Sequence, residues 1–382
     1  MMITKKLLDV CDFQGGTQPP KDEWINDPRE GYVRMLQIRD YSQGDSKFIQ
    51  YVKDTQKLHK CNKDDIMLSR YGYIGQAFMG LEGAYNVALV KVIKKEEIHT
   101  PYLLYYFQSN YFQHSLLSSV GARATIPGFN KEELKNALIK IPEMNEQIEI
   151  ASKIANVEEL IRCHRQQLVL YDTLIKSRFI ELFGTIHDNK LGYEIKTLQD
   201  VCEQIKDGTH QTPTYTDDRV NGYKFLSSKD VTTGKIDWTH LKYIPEELHN
   251  ELYARIAPKK GDILLAKNGT TGIAAIVDRE EIFDIYVSLA LLRPIEINSV
   301  YLWAAINSVE TKQQFDSNLK GIGVPNLHLG EIKKAKIIVP PKEEEKRFAA
   351  FVEQTDKSKL EIQKSLEKLE LLKKALMQKY FG

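Results

Sequence analysis

Two long stretches without proline or glycine constrain this chain more than any other feature of its sequence. The first lies between Pro142 and Gly184, and nothing inside it interrupts a helix. At 1.5 Å per residue, a helix of about 38 residues is roughly 57 Å long, which is too long for one small globular core. Its apolar residues recur mostly in steps of three, four or seven, a spacing that predicts packing along its length against another long helix. They are Ile148, Ala151, Ile154, Ile161, Leu168, Tyr171, Ile175, Phe179 and Leu182.

The C-terminal stretch supplies the predicted partner helix. It starts at Pro341, contains no further proline, and ends in Phe381 and Gly382. When the two stretches are aligned on their last residues, Phe381 falls on Phe183 and Leu372 falls on Leu174. The chain therefore contains two copies of one unit.

The repeat continues through the sequence that precedes each long stretch. The tripeptide Asp-Val-Cys occurs at 9–11 and again at 200–202. Each copy then has a turn rich in glycine and proline, a short strand with a polar loop, and a buried strand running into a glycine-bracketed loop. That last element covers 63–75 in the first copy and 260–272 in the second.

This order predicts an α+β fold with a pseudo-two-fold internal repeat. Two similar mixed α/β domains are separated by two long helices that pack as an antiparallel coiled coil. The predicted segments are a first globular domain, a central long spacer helix, a second globular domain and a C-terminal long spacer helix. Their boundaries are 1–141, 142–184, 185–340 and 341–382.

Composition sets bounds on the class of protein. The chain has 382 residues, of which 42% are hydrophobic, as expected for a folded soluble protein of two or three domains. No apolar run approaches the length of about 18 residues that a transmembrane helix needs, and the apolar part of the N-terminus is too short for a signal peptide. The four cysteines form no Cys-x-x-Cys pair and are expected to be free thiols in a reducing cytoplasm. The net charge of +1 does not point to nucleic acid, so any DNA-binding surface must concentrate positive charge locally.

Together these motifs resemble the specificity subunit of a type I restriction–modification system, and the resemblance covers essentially the whole chain. It is carried by the doubled Asp-Val-Cys, the doubled Lys-x-x-Asp-Ile-(Met/Leu)-Leu…Gly-x-x-Gly element and the Phe-Gly end of both helices. The helix start from Pro142 to Gln147 belongs to the same pattern. The second copy departs from it, with Glu345 where Gln147 stands, and no functional consequence of this change is expected.

The resemblance implies the following function. Each globular domain is a target-recognition domain that reads one half of a split double-stranded DNA sequence, and the helices fix the distance between the halves. Two methyltransferase (modification) subunits, which carry S-adenosylmethionine, dock on this scaffold, and motor–nuclease (restriction) subunits join them. The chain itself is expected to hold no cofactor and no metal, to contact no membrane, and to work in the prokaryotic cytoplasm. Because the loops of the two copies differ while their frameworks agree, the target is predicted to be asymmetric.

The candidate DNA contacts lie in the loops and have the side chains that base edges and phosphates require. Arginine and lysine suit guanine, asparagine and glutamine suit adenine, and serine and threonine suit either base. Glycines beside them allow the backbone to approach the duplex closely. In the first domain the candidates are Gln37, Arg39, Arg70, Tyr71, Tyr73, Arg123 and Thr125. In the second domain they are Ser227, Ser228, Lys229, Lys267, Asn268, Thr270, Thr271, Lys320 and Asn326.

A catalytic role is not supported by the motifs. The nearest string to the Asn/Asp-Pro-Pro-Tyr/Phe tetrapeptide of an adenine methyltransferase is 339–342, which lacks both the amide and the aromatic residue. The glycine-bracketed loop of the second copy lacks the lysine of a P-loop. Asp316 with Glu331 and Lys333 loosely matches a nuclease metal site, but the first copy has Ser118 in place of the aspartate. The chain is predicted to catalyse nothing by itself.

Two other functions remain open at this point. One is a coiled-coil scaffold whose globular domains bind protein. The other is a DNA reader that belongs to a related modification system with different catalytic partners.

Overall fold

The computed structural model describes residues 3–43, 49–120, 128–319 and 325–382. The folded chain divides into two compact units, within which residues are close in space. The first unit comprises Met1–Arg165 and Lys364–Gly382, and the second comprises Gln166–Gln363. Each long helix therefore contributes one segment to each unit.

The first unit combines short strands with short helices and ends in a long helix. Its strands are β1 (Ile3–Lys6), β2 (Cys11–Gly15), β3 (Tyr32–Leu36), β4 (Tyr51–Lys53), β5 (Lys60–Cys61), β6 (Met67–Ser69), β7 (Ala77–Phe78), β8 (Gly83–Tyr85), β9 (Leu89–Lys94) and β10 (Leu138–Ile141). Its helices are α1 (Leu7–Val10), α2 (Ile38–Ser42), α3 (Thr100–Gln108) and α4 (Asn110–Val120), followed by α5 (Met144–Phe183), which continues into the second unit.

The second unit repeats this order. Its strands are β11 (Glu194–Thr197), β12 (Cys202–Asp207), β13 (Tyr223–Leu226), β14 (Lys242–Ile244), β15 (Ile263–Ala266), β16 (Ala274–Ile276), β17 (Phe283–Ile285), β18 (Leu289–Pro294) and β19 (Lys336–Val339). Its helices are α6 (Glu246–Arg255), α7 (Ser299–Ile306), α8 (Val309–Asp316) and α9 (Leu329–Lys334), followed by α10 (Lys342–Phe381).

The sheets of the two units share one topology, except that the smaller sheet of the first unit has an additional strand, β5. An antiparallel sheet has the strand order β2-β9-β6-β7 in the first unit and β12-β18-β15-β16 in the second. A smaller sheet contains the parallel pair β3 and β8, or β13 and β17. A third, two-stranded sheet pairs the first strand of each unit with its last, with Ile3 opposite Ile141 and Glu194 opposite Val339. The entry to each globular part therefore lies beside its exit.

The Phe-Gly end of each long helix completes the core of one unit. In the first unit the buried Phe381 ring lies 5.1 Å from the ring of Tyr102 on α3. In the second unit the buried Phe183 ring lies 4.9 Å from the ring of Tyr301 on α7. Burying one such ring stabilises the fold by roughly 1.5–3 kcal/mol, so the two copies of this motif do the same structural work.

Ion pairs show that the two long helices run antiparallel. Within the first unit, Lys373 Nζ lies 2.7 Å from Glu158 Oε1, and Arg165 lies 2.7 Å from Glu370. Within the second unit, Lys359 pairs with Asp172. Residues later in α5 thus pair with residues earlier in α10, as an antiparallel pair requires. The predicted fold class, with its repeated mixed domains and paired long helices, is thereby confirmed.

The predicted seam of α5 is wrong at its first position. Ile148 is 42% exposed, while Ile150 and Ala151 are buried in the first core. The first turns of this helix pack against the globular part of the first unit and not against the other long helix. The spacing of the later apolar residues therefore does not predict which face of these turns is buried.

The repeated cysteines Cys11 and Cys202 are buried free thiols at matching positions. Burial raises the pKa of each thiol to about 12, so both stay protonated at neutral pH. They act as small apolar side chains.

The departure from the repeat at the start of the second helix changes a buried hydrogen-bond site. The Gln147 side chain accepts from the His99 amide at 3.0 Å and donates to the Pro142 carbonyl at 2.9 Å. Glu345, equally buried, accepts from the matching Asn298 amide at 2.6 Å. An ionised carboxylate cannot donate, and burial raises the pKa of Glu345.

Candidate nucleic-acid interface

The predicted loops of the first unit meet beside the segment that joins β8 to β9. The Asn86 amide donates to the Leu36 carbonyl at 3.1 Å, next to the turn that carries Gln37. The Arg70 amide donates to the Ala88 carbonyl at 2.7 Å. These bonds place the turn after β3 and the loop after β6 along one edge, which we call the first edge.

The second unit builds an equivalent edge with the same backbone bonds. The Tyr286 amide donates to the Leu226 carbonyl at 2.8 Å, and the Lys267 amide donates to the Ser288 carbonyl at 2.9 Å. In addition, the Ser228 amide donates to Ser288 Oγ at 3.0 Å. We call this the second edge. The sequence repeat is therefore a repeat of the geometry that presents the candidate residues.

A glycine after the strand that enters each sheet lets a further segment join the edge. A Cβ atom on Gly16 would lie 2.0 Å from the Asn86 carbonyl oxygen, and one on Gly208 would lie 2.1 Å from the Ile285 carbonyl oxygen. Only glycine fits such close backbone approach. In the first unit the residue after this glycine, Thr17, then donates its backbone N–H to the Tyr85 carbonyl at 3.0 Å.

The loop at 70–75, here the first tip loop, is held firmly at its base. The buried Ser69 hydroxyl donates to the Tyr73 carbonyl and accepts from the Gln76 amide at 2.9 Å. The Gln113 side chain on α4 donates to the Gly75 carbonyl at 2.7 Å. Above this base the Tyr73 side chain projects into solvent, with 82% of its surface exposed.

Arg70 is oriented by neighbours on the far side of the same edge. Its Nε donates to the Phe129 carbonyl at 3.1 Å, and its terminal nitrogen donates to the Asn130 side chain. The guanidinium carbon lies 5.4 Å from the centre of the Tyr71 ring, and Tyr71 pairs with Gly128 through a β-bridge. The structure thus brings Arg70 and Tyr71 together at the base of the tip loop.

Gln37 and Arg39 form a second pair on the first edge. Both side chains donate to Gln50 Oε1, at 3.2 Å from Gln37 and 2.9 Å from Arg39. The buried Asp40 carboxylate fixes the turn by accepting hydrogen bonds from the backbone N–H of Gln37 at 2.8 Å and from the Arg34 guanidinium at 2.8 Å. The two half-buried side chains therefore lie side by side on a constrained turn.

The second edge treats the matching cation differently. Lys267, which corresponds to Arg70, is buried, and its Nζ lies 3.1 Å from Asp207 Oδ2. His210 Nε2 also lies 3.1 Å from that oxygen. Burial acts to raise the pKa of Asp207, but Lys267 and His210 outweigh it, and the pKa is lowered overall.

The second tip loop, 267–272, carries small polar side chains. Thr270 is exposed and Thr271 is buried. Asn268 pairs with Asn326 through a β-bridge, and the Leu327 amide donates to the Lys267 carbonyl at 2.8 Å. The structure therefore brings Asn268 and Asn326 together, as it does Tyr71 and Gly128 in the first unit.

The remaining candidates of the second edge lie on the turn after β13. Ser227 caps this turn by bonding to Asp230, with its amide at 2.6 Å and its hydroxyl at 3.1 Å from Oδ2. Lys229 is exposed. The candidates Arg123, Thr125 and Lys320 lie outside the described residues.

Sequence reasoning missed Arg255, which reaches the second edge from helix α6. Its guanidinium donates to the Asp207 carbonyl and to the Gly208 carbonyl, the latter at 3.0 Å. Helix α6 is docked by the buried His249, whose Nδ1 lies 2.7 Å from Asp284 Oδ2. Burial raises the pKa of Asp284 to about 6, although His249 lowers it in part. The one available signal was the absence of a matching helical stretch in the first copy.

The described residues hold no group of three or more His, Cys, Asp or Glu side chains that could bind a metal ion. None of the described helices combines the length and the apolar character that crossing a bilayer requires. The fold and its two edges define a recognition protein of two modules, each presenting polar and cationic loops on a rigid frame.

Comparison with known proteins gives the family. The family model for the type I restriction modification DNA specificity domain matches residues 2–169 and 190–373. The chain belongs to this family. Its role is that of the DNA-recognition subunit of a type I system, as the sequence predicts. The family is defined by DNA specificity, which agrees with the prediction of a non-catalytic chain.

Relatives match over nearly the whole chain. The type I restriction enzyme MjaVIII specificity subunit of Methanocaldococcus jannaschii is 27% identical over 97% of this chain and 90% of its own length. The EcoBI specificity subunit of Escherichia coli is 20% identical over 94% of this chain and 81% of its own length.

Solved structures agree with the fold. A structure described as the basis of complex assembly and conformational transition of a type I restriction–modification system matches with a TM-score of 0.64 and 18% identity, over 100% of this chain and 97% of the other. The S subunit from M. genitalium matches with a TM-score of 0.57 and 15% identity, over 100% and 96%.

Proposed function

We propose that each unit reads one half of a split, asymmetric DNA sequence and that the paired long helices fix the distance between the halves. The observation that carries this proposal is that one backbone arrangement presents different side chains at its two occurrences. Matching positions hold Arg70 and Lys267, Tyr71 and Asn268, and Tyr73 and Thr270. A framework that is repeated while its edge differs suits one docking geometry applied to two different sequences.

The side chains on the first edge fit readout of base edges and phosphates. Arg70 and Arg39 supply planar donors for guanine or for phosphate, and Gln37 supplies the amide that adenine prefers. On the second edge, Asn268 and Asn326 supply amides, while Lys267 is neutralised by Asp207. The tip loop of the second edge therefore relies more on neutral hydrogen-bonding groups, and Lys229 is exposed on the turn beside it.

The proposal extends to partners and place of action. Two methyltransferase subunits would dock on this chain, one for each unit of its internal repeat, and restriction subunits would complete the complex. S-adenosylmethionine would be bound by the methyltransferase subunits and not by this chain. The site of action would be the cytoplasm of a prokaryote, where the DNA lies.

Mapping of adenine methylation in genomic DNA from cells with and without the gene tests this function. The expected result is a split, asymmetric motif whose methylation is lost only in the deletion. Exchanging residues 1–141 for the matching segment of a relative should then change one half of the motif, and exchanging 185–340 should change the other half. An unchanged methylome, with the methyltransferase expressed and co-purifying, would instead support a protein-binding scaffold.

A further inference from the structure

The two tip loops share a backbone but differ in what they project. The Gly75 amide donates to the Ser69 carbonyl at 2.7 Å, and the Gly272 amide donates to the Ala266 carbonyl at 2.8 Å. The glycine before the tip residue is left-handed in both, with φ of 75° at Gly72 and 76° at Gly269. The residue that follows it is Tyr73 in the first loop and Thr270 in the second.

The Tyr73 ring contributes little to the stability of the free protein. It is 82% exposed, whereas most of the other aromatic side chains around the first edge are buried or half-buried. Its backbone, in contrast, is held by the Ser69 hydroxyl, and the base of the loop is held by Gln113. An apolar ring that is presented to solvent from a pre-organised loop has a ready partner in the faces of nucleic-acid bases.

The charge around the ring suits a duplex. Arg70 begins the same loop, and its guanidinium is fixed by Phe129 and Asn130 at the base of the edge. A cation at the base and an aromatic ring at the tip is an arrangement that can contact the phosphate backbone and the base stack together.

We infer that Tyr73 is a stacking wedge, whose ring enters the base stack of the half-site read by the first unit and opens one base-pair step. Thr270, which has no ring, leaves the other half-site stacked. This inference rests on the proposed function. It adds that the first half-site is recognised partly through the ease with which one step unstacks, so flexible pyrimidine–purine steps are favoured there.

The experiment uses the complex of this chain with its methyltransferase partner and duplexes of the mapped target. 2-Aminopurine, which fluoresces more strongly when it is unstacked, replaces one base at a time along both half-sites. Adenines that the methyltransferase flips out of the stack for methylation are left out of the comparison. At the other positions we expect a several-fold rise on binding at one step of the first half-site and none in the second. The rise should persist in Tyr73→Phe and disappear in Tyr73→Thr, and affinity should fall about tenfold in Tyr73→Thr, since stacking on one base contributes about 1–3 kcal/mol.

Thr270→Ala is the matched control: the fluorescence rise in the first half-site should remain, and the second half-site should stay stacked. Because the Tyr73 ring is exposed, Tyr73→Thr should unfold at the same temperature as the parent chain. Equal fluorescence and affinity for the parent and Tyr73→Thr would overturn the wedge while leaving DNA recognition intact. Failure of the parent complex to bind its target in preference to other DNA would instead remove the proposed function, and the wedge with it.

Discussion

Lys267 Nζ lies 3.1 Å from Asp207 Oδ2, and each side chain is at least 86% buried. In the first unit the matching cation, Arg70, is satisfied by a backbone carbonyl and an amide side chain. One position of the repeat is therefore an ion pair on the second edge and a hydrogen-bonded cation on the first. The difference concerns stability as well as recognition.

Removing either member of this pair is expected to have unequal effects. Asp207→Asn leaves Lys267 buried without its counter-ion and should destabilise the second unit by about 3 kcal/mol. Lys267→Met should cost less, because His210 and Arg255 still contact the Asp207 carboxylate, at 3.1 Å and 3.4 Å. Calorimetric unfolding of both variants measures the order, and an equal or reversed order would contradict it.

The same pair predicts a pH dependence. Because the folded pKa of Asp207 is lowered, its contribution to stability is present above its ordinary value of 3.8 and is lost as the pH falls through the folded value. Asp207→Asn should therefore flatten the acid side of the stability profile. A parent and a variant with parallel profiles in acid would rule out this role.

Glu345→Gln is expected to stabilise the protein at neutral pH. The folded pKa of Glu345 is raised, so the stability that is present below its ordinary value of 4.5 is lost as the pH rises through the folded value. Glutamine removes that loss and can donate a hydrogen bond as Gln147 does, a gain of about 1 kcal/mol. Gln147→Glu is the mirror-image control and should destabilise at pH 7 but not at pH 4. Unchanged melting temperatures in both variants would argue against this account.

Gly16→Ala and Gly208→Ala should each disturb one edge only. The added methyl group would lie 2.0 Å or 2.1 Å from a backbone carbonyl oxygen, so a strand or loop must shift, at a cost of about 1–3 kcal/mol. Competition binding with duplexes altered in one half-site checks the location of the effect. Gly16→Ala should weaken discrimination in the half read by the first unit and Gly208→Ala in the other half. Loss in both halves from either variant would count against separate reading.

Phe381→Ala and Phe183→Ala form a further matched pair. Each removes a buried ring that packs on the tyrosine of one core, and the expected loss is about 3–5 kcal/mol. Hydrogen exchange should show faster exchange in the first unit for Phe381→Ala and in the second for Phe183→Ala. If both variants loosen the same unit, the assignment of these rings to separate cores is wrong.

The fold could be predicted because its main signals are local and repeated. Helix period and the doubled motifs identify α5, α10 and the two similar domains without any long-range information. The predicted buried position at Ile148 is wrong, because the helix packs there on a globular surface. The helical period of the sequence gives no information on where that surface lies. The sequence predicted only that Glu345 has no functional consequence. Its burial follows from tertiary packing and not from the residues beside it, so its effect on stability could not be predicted.

The candidate site could be predicted only as loops. Tyr73 and Thr270 stand out because glycines bracket them in the sequence. The ion pair of Lys267 with Asp207 and the approach of Arg255 depend on residues that are far apart in the chain and that no spacing relates. Helix α6 has no counterpart among residues 54–66, the matching described part of the first copy, so the comparison of the copies identifies α6 as an insertion but not its contacts.

The two-stranded sheets that pair β1 with β10 and β11 with β19 have a consequence for inheritance. Because each globular part enters and leaves through neighbouring strands, it is attached at a single place. A genetic crossover within the coding sequence of each flanking helix would exchange a whole reading unit and keep its attachment unchanged. A population that carries this gene could thus acquire new combinations of half-sites by recombination.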